Sequence, residues 1–324
     1  MAQKDNSFMW RVLVVDDIHG VFLDKLKNTG VICDYRPEIT RFEALQILPN
    51  YEVLIIRSKF RIDAEVLHVA QRLKCIGRAG AGMDNIDEPL AVEKGIQLLN
   101  APEGNRDAVA EHLIGMLLAM MNNLIRGNVQ IREGQWLREA NRGFELAGRT
   151  VGLIGYGNNG QAMARKLNGF GVKVIAYDKY KTGFSDIYVE EVRMEQMVKQ
   201  VDVLSLHIPL TRETRNMVNE EYLSQFRKPI FFLNGARGEI VDVNAVLKGI
   251  EKGRILGASF DVLPIEGFPA LTQSDWYEKL KMNEKVLMSP HVAGWTVESY
   301  YKIAAILADK VIEFFHANET KLHI

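Results

Sequence analysis

The sequence predicts an α/β protein built from two doubly wound parallel-sheet domains. Three observations carry that expectation. Short apolar runs alternate with stretches of helical spacing twice along the chain, first over residues 11–102 and again, more strongly, from residue 150. The runs are apolar throughout rather than at every second residue, as strands are when helices cover a parallel sheet on both faces. The 324 residues are also too many for one ordinary domain and suit two.

In the first alternation the strand candidates are RVLVVDD (11–17), YEVLIIRS (51–58), KCIGRAG (74–80) and IQLLNAP (96–102), with helical spacing over 21–27, 40–48 and 63–72. A long helix follows over about 106–124, then a charged stretch, 125–149, with Trp136 as its only large anchor. The second alternation supplies six strands: TVGLIGYG (150–157), VKVIAYD (172–178), VDVLSLH (201–207), PIFFLNGA (229–236), RILGASFDV (254–262) and EKVLMSPH (284–291). The segment SYYKIAAILADKVIEFFHAN closes the chain as a helix with Ile303, Ile306, Leu307 and Val311 on one face.

The composition is that of an ordinary globular protein, 47% hydrophobic and 25% charged. Forty basic residues against 41 acidic ones leave a net charge of −1, which offers no global field for nucleic acid or an anionic membrane. Cys33 and Cys75 form no CxxC pair, so neither a metal site nor a disulfide framework is expected, and a reducing cytoplasm fits. The N-terminal residues lack an apolar signal core, and the longest apolar run, 113–121, falls far short of the ~20 residues that span a bilayer.

The segment VGLIGYGNNGQAMARKL carries Gly155, Gly157 and Gly160 in GxGxxG spacing, after a strand and before a helix, with Asp178 ending the next strand. Alone the pattern is weak; this context is what a dinucleotide site requires. Gly155 permits the tight turn, Gly157 lets backbone approach a pyrophosphate, and Gly160 lets the helix pack close with its N-terminal amides toward the phosphate. Asp178 can accept hydrogen bonds from the hydroxyls of an adenosine ribose and would repel a 2′-phosphate, so NAD is the expected cofactor. The other reading is a glycine-rich helix entry without a ligand. GRAGAG (77–82) lacks the third glycine and reads as a loop at a strand's carboxyl end whose amides can bind an anion.

Three later strand ends carry chemistry: LNGARGEIVD brings Arg237, ASFDVLPIE brings Asp261 and Glu266, and SPHVAG brings His291. Arginine offers a planar fork for a carboxylate. Histidine exchanges a proton near neutral pH, and a carboxylate on its other ring nitrogen fixes the tautomer. By itself His291 also reads as a capped or core histidine.

With these segments in order, the sequence resembles the D-isomer-specific 2-hydroxyacid dehydrogenase family over nearly its whole length. The matching stretches are GRAGAGMDNID, NAPEGNRDAVAEH, GLIGYGNNG, LHIPLTRET, NGARGEIVD, DVLPIE and SPHVAG. The resemblance implies that His291 is the acid/base, Glu266 its partner, and Arg237 the holder of the substrate carboxylate. It implies a flavodoxin-like substrate domain, 1–101 with 293–324 returning to it, and a Rossmann NAD-binding domain, 102–292. The cofactor site would then also include Asn158, Asn159, His207, Pro209, Gly235, Ala236, Asp261 and Gly294. RSKFRID (57–63) resembles a phosphate-binding segment of the family, so Arg57, Ser58, Arg78, Ala81 and Gly82 are the substrate-site candidates.

The substrate so implied is a small 2-hydroxy or 2-keto acid, first of all the 3-phosphoglycerate and 3-phosphohydroxypyruvate pair. Glycerate, hydroxypyruvate, glyoxylate and lactate stand as alternatives. From another class, an NAD(H)-sensing binding protein resembling corepressors of this family fits the same residues. The segment 106–149 resembles a dimerisation region, so a homodimer is expected; an ordinary core helix with a solvated loop is the other reading. The sequence departs from the family at Asn159, where an apolar residue is usual, and at Gly267, where proline is usual. Arg106 and Asp107 replace small or hydroxyl residues, and Trp295 follows the histidine turn. A regulatory domain after residue 324 is not expected, nor is feedback through one.

Overall fold

The computed structural model describes residues 9–319. The chain divides into two compact units, Met1–Asn105 with Thr296–Ile324, and Arg106–Trp295. The cuts fall slightly later than the expected 101/102 and 292/293. Val292 and Ala293 donate their amides to Asp261, which keeps the residues after His291 with the second unit.

The first unit alternates β1 (Arg11–Val14), α1 (Val21–Leu26), β2 (Ile32–Tyr35), α2 (Arg41–Ile47), β3 (Val53–Ile56), α3 (Ala64–Val69), β4 (Cys75–Arg78), α4 (Glu88–Glu93) and β5 (Gln97–Asn100). The strands are parallel in the order β2-β1-β3-β4-β5, the flavodoxin-like winding. β3 is wholly buried, as its unbroken VLII requires. Asp63 and Asp87 start α3 and α4 by accepting the amides of Val66 and Leu90, and Thr40 with Glu43 forms a capping box on α2. The sequence reading missed β2 and α4. β2 is an edge strand reading ICDY, exposed at both ends, so it shows neither an apolar run nor a clean alternation. The closing helix belongs to this unit, with Ile303, Leu307 and Val311 buried against a core that includes Trp10, Phe22 and Val53.

The second unit begins with α5 (Arg106–Met121) and α6 (Leu124–Arg132). Next come β6 (Thr150–Ile154), α7 (Asn158–Leu167), β7 (Lys173–Tyr177), β8 (Glu190–Glu191), α8 (Met194–Gln200), β9 (Val203–Leu206), α9 (Glu220–Ser224) and β10 (Ile230–Asn234). The unit ends with α10 (Val243–Glu251), β11 (Ile255–Phe260), α11 (Tyr277–Lys281) and β12 (Val286–Met288); α12 (Val297–Glu319) is the closing helix of the first unit. The parallel order β12-β11-β10-β9-β6-β7-β8 is the Rossmann winding, with the reversal point between β6 and β9. The additional strand, β8, is two residues long. The helix expected over 106–124 ends at Met121, and left-handed Asn123 (φ 53°) turns the chain 60° into α6. Trp136 does not anchor the stretch after it: its side chain is 77% exposed. Among the described residues no single helix is long and apolar enough to cross a membrane.

Candidate active site

The glycine loop lies between β6 and α7. Gly155 has φ 94°, and a Cβ there would stand 2.6 Å from the His207 carbonyl oxygen. A Cβ on Gly160 would stand 2.4 Å from the Gly155 carbonyl oxygen, so these two glycines exist for the turn and the close packing of the helix. Gly157, at the head of α7, would meet nothing within 4 Å, leaving the side from which a pyrophosphate approaches open. Asn158 and Asn159 form the first turn of that ten-residue helix.

Asp178 follows β7 directly. One carboxylate oxygen accepts the Tyr156 amide at 2.8 Å, and the other accepts the amides of Tyr180 and Lys181 at 2.9 and 3.2 Å. The carboxylate is thereby fixed beside the glycine loop with lone pairs remaining for hydroxyl donors. Burial pushes the His207 imidazole down to about 4, so it is neutral at neutral pH. Its Nε2 lies 2.9 Å from Ser205 Oγ, and its Nδ1 is buried with no protein partner. A bare Gly157, an anchored carboxylate and an unsatisfied ring nitrogen at the carboxyl ends of three adjacent strands, β6, β7 and β9, fit a dinucleotide. Pro209 is exposed after β9 and accepts the Thr214 hydroxyl on its carbonyl at 2.7 Å.

At the far half of the sheet, β10, β11 and β12 deliver Arg237, Glu266 and His291 beyond their carboxyl ends. His291 Nδ1 lies 3.0 Å from Glu266 Oε2. That hydrogen bond raises the imidazole above its ordinary value; burial and the nearby Arg237 charge pull the other way. The Asp261 charge also raises the imidazole, so the three residues and Asp261 form one electrostatic unit. His291 itself stands in a left-handed backbone conformation, φ 54°.

Two expected cofactor positions have structural duties of their own. Asp261 is 2% exposed, and its carboxylate accepts the Ser289 hydroxyl and the amides of Val292 and Ala293, so it organises the turn bearing His291. A Cβ on Gly235 would stand 2.8 Å from the Leu113 methyls, so packing against α5 demands that glycine. The neighbouring Ala236 is buried and donates its amide to Asn234 Oδ1 at 3.1 Å, while Gly294 is half-buried just beyond the turn.

In the first unit, Ile56 and Arg78 are register partners, so Arg57 and Arg78 lie at the carboxyl ends of adjacent strands. The amides of Arg57, Ser58 and Lys59 all point at one oxygen of buried Asp16, at 2.8, 2.8 and 2.9 Å. That carboxylate uses the backbone donors of the segment, leaving side chains as its means of binding an external anion. The Arg78 guanidinium folds against Gly80, where a Cβ would come within 1.5 Å of Nη1. Ala81 accepts the Asn100 amide on its carbonyl at 2.6 Å, and Gly82 is half-buried beside it.

Sequence reasoning passed over four polar residues that shape these loops: Asp16, Asn234, Ser289 and His112. Asn234, fully buried, donates Nδ2 to the Arg237 carbonyl at 3.0 Å and so sets the arginine's turn. For the first three, polar residues at the ends of apolar strands were the available signal, in VVDD, FLNG and LMSP; His112, inside α5, carried none.

Fold and site together define an NAD-dependent oxidoreductase. The chain belongs to the D-isomer-specific 2-hydroxyacid dehydrogenases: residues 114–293 match the family's NAD-binding domain. It is 34% identical to a hydroxypyruvate reductase of Thermotoga maritima over 94% of this chain and 98% of that one. It is 33% identical to a D-3-phosphoglycerate dehydrogenase of Archaeoglobus fulgidus over 93% of this chain but only 56% of that one, so it spans about half of such relatives. A solved D-lactate dehydrogenase of Aquifex aeolicus, complexed with NAD and lactic acid, superposes with a TM-score of 0.80 at 25% identity, covering 96% of each chain.

Proposed function

We propose that this enzyme interconverts a short D-2-hydroxy acid and its 2-keto acid, with His291 as acid/base, Glu266 as its partner and Arg237 as the substrate clamp. The 3.0 Å contact between His291 Nδ1 and Glu266 carries this reading. With Nδ1 engaged, Nε2 is the ring atom that exchanges a proton with substrate. In reduction Arg237 presents its fork to the keto acid's carboxylate, and protonated His291 gives its proton to the keto oxygen. In oxidation neutral His291 takes the hydroxyl proton back. NADH, when bound, would supply the hydride; Gly155, Gly157, Gly160, Asn158, Asn159, Asp178 and His207 are the residues proposed to hold it, together with Pro209, Gly235, Ala236 and Gly294.

As substrate we favour the 3-phosphoglycerate and 3-phosphohydroxypyruvate pair, with Arg57, Ser58 and Arg78 of the first unit as an anion subsite bordered by Ala81 and Gly82. Two arginines at adjacent strand ends support it. Hydroxypyruvate is the second reading, supported by Asp16, whose negative charge occupies the amides of 57–59. Assaying NADH oxidation with 3-phosphohydroxypyruvate, hydroxypyruvate, glyoxylate and pyruvate separates them. No turnover of any keto acid, with NADH still bound, would favour a dinucleotide-sensing protein instead.

The protein is further proposed to act as a cytoplasmic homodimer. None of the nine residues of α6 is buried, and Leu124, Ile125, Val129 and Ile131 are exposed along it. Beside them a surface cavity of about 570 Å³ mixes apolar residues, Met120, Ile125, Val129 and Leu287, with charged ones, Arg126 and Glu284, so the exposed apolar side chains of α6 are what suit a second copy. Light scattering of wild type and of a Leu124→Glu, Ile131→Glu variant tests this: a monomer in wild type would refute it.

A further inference from the structure

The turn that bears His291 is tied to α5 through side chains that the reaction as derived does not use. Ser289 Oγ donates to Asp261 Oδ1 at 2.7 Å, and His112 Nε2 lies 2.9 Å from the same serine oxygen. A serine hydroxyl has one proton to give. Met116 Sγ competes for it at 3.5 Å, but the carboxylate is the closer and stronger acceptor. With the proton spent on Asp261, Ser289 Oγ accepts from His112, so His112 carries its proton on Nε2. His112 Nε2 and Asp261 Oδ1 are 3.6 Å apart, within reach of each other's charge but too far for a hydrogen bond, so the serine is the hydrogen-bonded link.

We propose that His112 and Ser289 are positioning residues for proton transfer, acting on His291 through Asp261. Asp261 receives the amides of Val292 and Ala293 on its carboxylate and that of His291 on its own carbonyl, the last at 2.7 Å. The His291 ring is therefore aimed by a left-handed turn hung on one buried carboxylate. The Ser289 hydroxyl shares Oδ1 with the Val292 amide and fixes the carboxylate's rotation. His112 in turn fixes the hydroxyl from a 16-residue helix with eight buried side chains, a rigid support.

This inference rests on His291 being the acid/base, and the test separates the two. Ser289→Ala should lower kcat about tenfold or more, the worth of one hydrogen bond to a charged group, and His112→Leu about three- to tenfold, the worth of one to a hydroxyl, measured with the best keto acid of the four above. KM and the NADH Kd from fluorescence titration should stay within about twofold, since neither residue is among those proposed to hold the substrate or the cofactor. The double variant should be no worse than Ser289→Ala, because both act through one chain. His112→Gln should restore kcat, its amide nitrogen donating where Nε2 did. Nitrogen NMR of the imidazoles at alkaline pH should show His112 protonated on Nε2. Additive losses, a His112→Gln variant as impaired as His112→Leu, an Nδ1-protonated His112, or NADH affinity lost in parallel would each overturn the proposal. If His291→Gln retains activity, the acid/base reading fails; if it is inactive while His112→Leu and Ser289→Ala match wild type, only the relay fails.

Discussion

Asp261 fixes His291 without touching its ring. The Asp261 carbonyl accepts the His291 amide at 2.7 Å, and its carboxylate takes the next two amides at 2.9 and 3.0 Å. These bonds hold a non-glycine residue at φ 54°, a conformation that costs of the order of 1–3 kcal/mol and persists only where its surroundings impose it. The ring is left half exposed, 51%, facing Glu266 on one side with its other nitrogen available.

His291→Gln should lower kcat by about 10²–10⁴-fold, the usual worth of a positioned proton donor. NADH affinity should change little, since the glycine loop and Asp178 lie elsewhere on the sheet edge. Steady-state kinetics with parallel fluorescence titration checks both, and turnover near that of wild type would remove His291 from the chemistry.

Glu266→Gln should move the pH profile of reduction. Reduction needs protonated His291, so its rate falls as pH rises through the imidazole pKa. Glu266 raises that pKa through the 3.0 Å hydrogen bond, and losing its charge lowers it. The falling limb should therefore shift toward acid. A limb that stays in place would mean the pair does not exist in solution.

Asp178→Ser should weaken NADH binding about ten- to a hundredfold and narrow the preference over NADPH. Part of the loss is indirect, because the carboxylate also holds the amides of Tyr156, Tyr180 and Lys181. Equal use of NADPH and NADH by wild type would contradict the placement of Asp178 at the ribose.

Gly155→Ala should abolish NADH binding before it abolishes folding. The added methyl meets the His207 carbonyl at 2.6 Å and the backbone is held at φ 94°, so the loop must shift. Calorimetric titration together with a thermal melt measures the two effects, and undiminished binding would show that the loop does not seat the pyrophosphate.

Arg57→Ala should cost about ten- to a hundredfold in kcat/KM for 3-phosphohydroxypyruvate and little for hydroxypyruvate, which has no phosphate to place. An equal loss for both substrates, or wild type using both alike, would sink the phosphorylated substrate and leave the hydroxypyruvate reading.

What the sequence determined by itself is what repeats or spaces locally. Both βα alternations were legible because buried parallel strands such as VLII (53–56) and IFFLN (230–234) must be continuously apolar, whereas the strand orders came only with the family resemblance. The glycine loop was legible because Gly155 and Gly160 sit at fixed offsets dictated by one turn and one helix entry. Arg237, Asp261, Glu266 and His291 could be picked out as candidates because they follow the carboxyl ends of such strands, while the choice of Glu266 over Asp261 as the histidine's partner came from the family resemblance. The tertiary structure decided what has no period. β2 is polar enough to be invisible until β1 pairs with it, and α5 breaks where Asn123 turns left-handed. Asp16 fills the amides of a loop 41 to 43 residues away, and His112 reaches Ser289 across 177. A buried carboxylate or hydroxyl must find a partner, but which one depends on strand order and register, and those exist only once the sheet has closed.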